Sequence, residues 1–218
     1  ILHLSRTAAL HNVPVLGINL GSLGFMSELE ANELERLRDL QSWDFVVESR
    51  MMLDVTIFRG GNAVYSNIAL NDAVVSKGSV ARVVRLDIFT EEGRLTKVTG
   101  DGVVISTPTG STGYSLSAGG PIVEPTAQNF VISPICAHSI FAKSFVLSAA
   151  GTVTVAPADQ NRKQVYLSVD GGKAFALKSG DRVRVARSRY ETELLRLSDK
   201  SIYEILRTKM SGGIGYEK

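Results

Sequence analysis

An α/β segment followed by a larger all-β domain is the fold class this sequence predicts, and three observations predict it. The first 44 residues alternate helix, strand, loop and helix signals. From Phe45 to Leu197 the pattern becomes short alternating apolar runs separated by glycine-containing turns. A last helical stretch, Asp199 to Met210, is bounded by Ser198 or Asp199 as cap and by Gly212-Gly213 as stop.

Residues 1–11 read as a helix, with Leu2, Leu4, Ala8, Ala9 and Leu10 as apolar surface. Val13–Leu20 is a nearly continuous apolar run and reads as a buried strand of a parallel sheet. A loop containing Gly21 and Gly24 follows. A helix then starts near Asn32 and Glu35, which stand at capping-box spacing, with Leu34, Leu37 and Leu40 on one face. One strand cannot form a sheet alone, so residues 1–44 read as the remainder of an N-terminal α/β domain. The helix of residues 198–218 is expected to pack back on it.

Residues 45–197 read as a β-sandwich domain. Phe45–Arg50 and Met52–Phe58 alternate, Arg59-Gly-Gly-Asn62 turns, and Ala63–Val75 runs back. Val83–Thr90 and Leu95–Val98 suggest a second hairpin. Further strands are expected at Val103–Ser106, Val131–Ser133, Ser144–Ser148, Thr152–Val155, Val165–Val169, Lys173–Leu177, Arg182–Ala186 and Glu191–Leu197.

The 218 residues are 44% hydrophobic and 21% charged, an ordinary globular profile with material for a core. A net charge of +2 argues against a nucleic-acid or membrane-surface partner. No apolar run approaches the ~18 residues of a membrane span. The single cysteine, Cys136, excludes an intrachain disulfide framework and favours a reducing, cytoplasmic location.

The segment Thr107 to Pro121 carries the chemistry. A strand leads into Thr107-Pro-Thr-Gly-Ser-Thr-Gly-Tyr, rich in glycine and hydroxyls with one tyrosine. Glycines admit close ligand approach, and exposed N–H groups and hydroxyls bond ribose, phosphate or base edges. Tyr114 offers a ring for stacking on a base. A turn-rich β connection is the plain alternative. No G-x-x-x-x-G-K-[ST] or G-x-G-x-x-G occurs. Gly113-Tyr-Ser-Leu-Ser117 has Ser117 where a nucleophile elbow needs glycine, and His3, His11 and His138 lack an evident acid partner.

At these residues the chain resembles the NAD kinases. Family-like segments occur in order: Gly17-Ile-Asn-Leu-Gly-Ser-Leu-Gly-Phe25, Leu70-Asn-Asp-Ala-Val74, Asp101-Gly102, Thr107 to Pro121, Cys136-Ala-His138 and Val169-Asp-Gly171. The resemblance implies a partial Rossmann-like α/β domain joined to a β-sandwich. It implies transfer of a terminal phosphate from ATP, or polyphosphate, to the 2′-hydroxyl of the adenosine ribose of NAD. A divalent metal ion, Mg expected, would be needed, and dimers or tetramers with a shared site are expected. Asn71 and Asp72 match a ribose- and base-contacting pair, with a turn-capping pair as the other reading. Thr109, Thr112, Gly113, Tyr114, Ser115, Leu116 and Ser117 match the adenosine loop, Gly113 replacing a common alanine. Asp101 matches an aspartate that reaches the nicotinamide-side ribose; an ordinary turn aspartate is the alternative. Cys136 matches a backbone contact from a partner subunit, its side chain expected buried. Arg82 and Thr99 match occasional ligand contacts, and Gly172 replaces a frequently polar residue.

The family's Gly-Gly-Asp-Gly, whose aspartate is the proposed catalytic base, does not occur in the chain. It is expected to lie N-terminal to Ile1, so these residues supply no catalytic base and are expected to be inactive alone. A lipid or sugar kinase of related fold and a non-catalytic nucleotide-binding module are the competing readings.

Overall fold

The computed structural model describes residues 1–20, 26–78, 82–138, 142–158 and 164–197, together with Glu204 and Arg207. The chain forms two compact units. One comprises Ile1, His3–Ser49 and the chain from Thr192 onward, and the other comprises Leu2 and Arg50–Glu191.

In the smaller unit, helix α1 (Leu2–Leu10) buries Ser5, Ala8 and Ala9. Ala8 packs with Val15 and Leu194. The expected long strand Val13–Leu20 is reduced to β1 (Ile18–Asn19), which pairs in parallel with β2 (Leu29–Glu30), and an isolated bridge from Val15 to Leu194. Its ends explain this: Val13 and Leu20 are exposed, so the apolar run has no covering at either limit. The expected capped helix is a 3₁₀ helix, Leu34–Ser42, entered from Glu33 without a side-chain cap. Leu34, Leu37 and Leu40 recur every third residue, which suits three residues per turn better than 3.6. The expected C-terminal helix and the Gly21–Phe25 loop lie outside the described residues, except that Glu204 and Arg207 are helical.

The larger unit contains two six-stranded antiparallel sheets. The strands are β3 (Val46–Arg59), β4 (Asn62–Ala69), β5 (Asp72–Lys77), β6 (Val84–Thr90), β7 (Gly93–Gly100), β8 (Gly102–Ser106), β9 (Asn129–Ile135), β10 (Phe145–Ser148), β11 (Thr152–Pro157), β12 (Val165–Val169), β13 (Phe175–Leu177) and β14 (Arg182–Arg196). One sheet runs β4-β3-β14-β11-β6-β7 and the other β10-β9-β8-β5-β12-β13. Alternation along each strand sends one face inward. Leu53, Val55 and Ile57 of β3, Leu86 and Ile88 of β6, Val153 and Val155 of β11, and Val183 and Val185 of β14 meet Ala73 and Val75, Val103 and Ile105, Phe130 and Ile132, and Val165, Leu167 and Val169 in a single core.

Three details depart from the sequence reading. Phe45–Arg50 and Met52–Phe58 fuse into β3, and the two arginine-bearing segments near the C-terminus fuse into β14. The run Ala63–Val75 divides instead into β4 and β5, which belong to different sheets. The break is at Leu70-Asn71, where backbone N–H groups turn to a side chain rather than to a ladder. A similar crossing separates β7 from β8 at Asp101. Both crossings carry expected ligand residues.

Phe130 is among the largest fully buried side chains of this core. Phe130→Ala is expected to lower stability by about 3–5 kcal/mol, read as a reduced urea midpoint at unchanged m-value.

Candidate functional site

The site assembles on the outer face and one end of the β5–β8–β12 sheet. Asp170 lies just past β12 in the left-handed region, φ 47°. Its carboxylate accepts the N–H groups of Leu70 at 2.7 Å, Asn71 at 2.7 Å and Asp72 at 3.0 Å. Three donors converging on one anion fix the path of the chain as it leaves one sheet and enters the other. Asp170 N–H in turn donates to the Asp72 carbonyl at 3.0 Å.

Thr107 ties the glycine-rich loop to the same crossing. Its N–H donates to the Asn71 carbonyl at 2.9 Å, its hydroxyl donates to the Leu70 carbonyl at 2.6 Å, and that hydroxyl accepts from Gly110 N–H at 3.0 Å. A Cβ built at Gly110 would meet the Asn71 carbonyl oxygen at 2.1 Å, so only glycine lets the two backbones approach this closely. Beyond it a short 3₁₀ turn, Thr109–Thr112, leads into α2 (Tyr114–Ser117). Buried Ser115 meets the Ser133 hydroxyl at 2.9 Å, and Ala118 packs on Val74, Val104 and Ile135, holding this turn on the sheet.

Burial and polarity conflict here in an informative way. Asn71 Oδ1, Thr109 Oγ1 and Ser106 Oγ are buried without a hydrogen-bond partner among the described residues. Such atoms cost about 1–3 kcal/mol each when left unpaired. Tyr114, in the same loop, is 46% exposed although it is large and aromatic. Burial, and secondarily the negative charge of Asp170, push the Asp72 carboxyl up to about 7. Near neutrality Asp72 therefore exists partly as an acid able to donate a hydrogen bond. A methyl at Gly113 would lie 3.3 Å from the Gly110 carbonyl oxygen and 3.6 Å from Asn71 Nδ2, so alanine at this position would need only a slight adjustment.

The expected residues fall into two groups. Asn71, Asp72, Thr109, Thr112, Gly113, Tyr114, Ser115, Leu116, Ser117 and Gly172 cluster around the Leu70–Asp72 crossing and the β12–β13 turn. Ser115 is buried and structural in its contacts, while Ser117 and Gly172 are exposed. Thr99, Asp101 and Cys136 gather at the opposite ends of β5 and β8: Asp101 N–H donates to Ile135, and His138 N–H to Thr99. Exposed Arg82 leads into β6, whose Val84 pairs with Gly100. Four residues of strand separate Asp72 from Ser76 at that far end, roughly 14 Å. Cys136 is exposed, not buried as expected, because β9 ends at Ile135 and the chain turns through φ 44° at the cysteine.

Asp170 and Thr107 organise the site, and the sequence reading gave neither that role. The available signals were an aspartate before glycine after a strand, and a threonine three residues before a glycine in a polar loop. For the expected divalent ion, no group of three His, Cys, Asp or Glu side chains comes together among the described residues. The Asp170 carboxylate is already committed to backbone N–H groups.

Asp170→Asn keeps a residue tolerant of the left-handed backbone but replaces an acceptor by a donor. Stability is expected to fall by about 1.5–3 kcal/mol in a denaturant titration. Asp72 gives a pH signature. Its folded pKa is raised, so the native state retains a proton that the unfolded chain releases near pH 4. Its stabilising contribution is full below that value and is lost as pH rises through about 7. Asp72→Asn is expected to flatten the stability profile across this window.

A family model described as the ATP-NAD kinase C-terminal domain matches residues 70–197. The chain is 40% identical over 214 residues to an NAD kinase of Natranaerobius thermophilus, covering 98% of this chain and 74% of the relative. It is 42% identical to an NAD kinase of Geobacter metallireducens, covering 98% and 75%. Among solved structures, a yeast NADH kinase complexed with NADH superposes with a TM-score of 0.82 at 30% identity, covering 94% of this chain and 60% of that one. An NAD kinase from Archaeoglobus fulgidus in complex with ATP shares the fold, with a TM-score of 0.70 at 22% identity and coverage of 90% and 73%. The chain belongs to the NAD kinase family, a family of phosphotransferases.

Proposed function

We propose that this chain provides the dinucleotide-binding machinery of an NAD kinase that passes the terminal phosphate of ATP, or of polyphosphate, to the 2′-hydroxyl of the adenosine ribose of NAD. The observation that carries this is the set of buried oxygens of Asn71 and Thr109 without partners among the described residues, together with the half-exposed ring of Tyr114 on the segment that follows Thr109. These are the requirements of a nucleoside: polar edges for its hydrogen-bonding groups and an aromatic face for its base. Asn71 and Asp72 are assigned to the adenosine ribose and base, the Thr109–Ser117 segment to adenosine, and Gly172 to their margin. A lipid or sugar acceptor is not favoured, since the relatives are NAD kinases.

Phosphoryl transfer asks the protein chiefly to orient the acceptor hydroxyl and to offset charge on the phosphate. Asn71, Asp72 and the Thr107-anchored loop orient; their backbone frame is preset by Asp170. The base that takes the hydroxyl proton is assigned to the family aspartate of Gly-Gly-Asp-Gly, a sequence not found among these 218 residues. Mg²⁺ belongs to the proposal as the ion that travels with the donor's phosphates. The orientation of the acceptor is the work of the chain's own side chains and backbone.

The second group, Arg82, Thr99, Asp101 and Cys136, is assigned to the nicotinamide side. Its separation from the adenosine group favours a site completed by a second copy of the chain, in a homodimer or homotetramer. A cytoplasmic location is part of the same proposal. No described helix is long and apolar enough to cross a membrane.

Tyr114→Ala removes the ring and leaves the loop's backbone contacts in place. NAD binding is expected to weaken by about 1–3 kcal/mol, measured by calorimetry. Unaltered affinity would refute the assignment of this loop to adenosine.

A further inference from the structure

Lys77 ends β5, and its Nζ lies 2.7 Å from Asp101 Oδ1. The same residues are joined through the backbone, Lys77 N–H donating to the Asp101 carbonyl at 2.9 Å. Asp101 N–H donates to Ile135 at 2.9 Å, so the aspartate's main chain is held on both sides as it passes between the sheets. The next residue is locked as well: a Cβ at Gly102 would come 2.4 Å from the Val75 carbonyl oxygen. The frame is rigid, and the remaining freedom of Asp101 lies in its side chain. Lys77 removes that freedom.

The pair is not accounted for as a stability device. The side chains are 22% and 31% exposed, so the pair is largely buried, and desolvation of two charges offsets much of their attraction. A lysine that fixes one carboxylate oxygen leaves the carboxylate plane defined, and a defined carboxylate accepts two adjacent hydroxyls better than a rotating one.

We propose that Lys77 is a positioning residue for the dinucleotide: through its contact with Asp101 it holds that carboxylate to receive the ribose diol distal to adenine. This rests on the assignment of Asp101 to the nicotinamide side, and the measurements below separate the two.

The experiment titrates NAD and 5′-AMP into the full-length protein and into Lys77→Met, Lys77→Arg, Asp101→Asn and the Lys77→Met/Asp101→Asn double variant. The expected result is a several-fold weaker NAD affinity for Lys77→Met, unchanged 5′-AMP affinity, and recovery of most of the loss in Lys77→Arg. The double variant is expected to bind NAD no more weakly than Asp101→Asn alone. If Asp101→Asn weakens NAD binding and Lys77→Met does not, the role of Lys77 is overturned while the site reading survives. If neither weakens it, or if the unaltered protein takes up no NAD, the assignment of Asp101 falls and the inference with it. Lys77→Gln serves if the methionine variant does not fold. Equal loss of NAD and 5′-AMP affinity would mark a general structural effect and also overturn the proposal.

Discussion

One carboxylate sets the frame on which the proposed adenosine-binding corner is built. Asp170 draws the N–H groups of Leu70, Asn71 and Asp72 onto itself, at the point where the chain leaves one sheet for the other. A β-strand normally spends its N–H groups on a neighbouring strand. Here three consecutive donors are taken by an anion instead, which leaves Asn71 between the two sheets, outside any ladder, while Asp72 opens β5 opposite Ser106. The left-handed backbone of Asp170 aims its carboxylate back over the crossing. The same charge reaches Asp72, whose carboxyl is pushed up mainly by burial and further by Asp170. Structure and protonation at this corner are thus coupled through a single side chain.

The loop follows from that anchor. Thr107 bonds both carbonyls of the crossing, and Gly110 approaches it more closely than any side chain would permit. The hydroxyls then divide by role. Those of Thr107, Ser111 and Ser115 are used within the protein, bonding Leu70, Pro108 and Ser133. The hydroxyl of Thr109 and the amide oxygen of Asn71 are not used among the described residues. Hydroxyl abundance in the sequence therefore mixes two kinds of group, and only geometry separates those bonded within the protein from those left without a partner among the described residues. Buried atoms without partners are costly, which is why their presence around a loop that also exposes a tyrosine carries weight.

The second group of residues obeys the same architectural rule. Asp101 stands at the other sheet crossing, between β7 and β8, flanked by backbone contacts to Lys77 and Ile135. A polar residue at a crossing escapes the inward-outward alternation that buries its neighbours. The sandwich core supplies rigidity, and the crossings supply polar side chains held on a rigid frame. Ends of strands, more than their middles, are where this fold exposes chemistry.

Much of this was legible in the sequence. Period-two alternation located most strands of the larger unit, because burying one face of each strand leaves a local trace. The order of the Asn71-Asp72, Asp101 and Thr107–Pro121 motifs pointed to the NAD kinases, because glycines and hydroxyls at fixed spacing are a property of the chain alone. Tertiary structure decided the rest. Ala63–Val75 reads as one strand, and only the remote carboxylate of Asp170, about a hundred residues later, divides it between two sheets. Cys136 reads as buried, and only the end of its strand turns it outward. The contacts of Asp170, Thr107 and Lys77 join segments distant in the chain, and no local pattern encodes which carboxylate will meet which backbone.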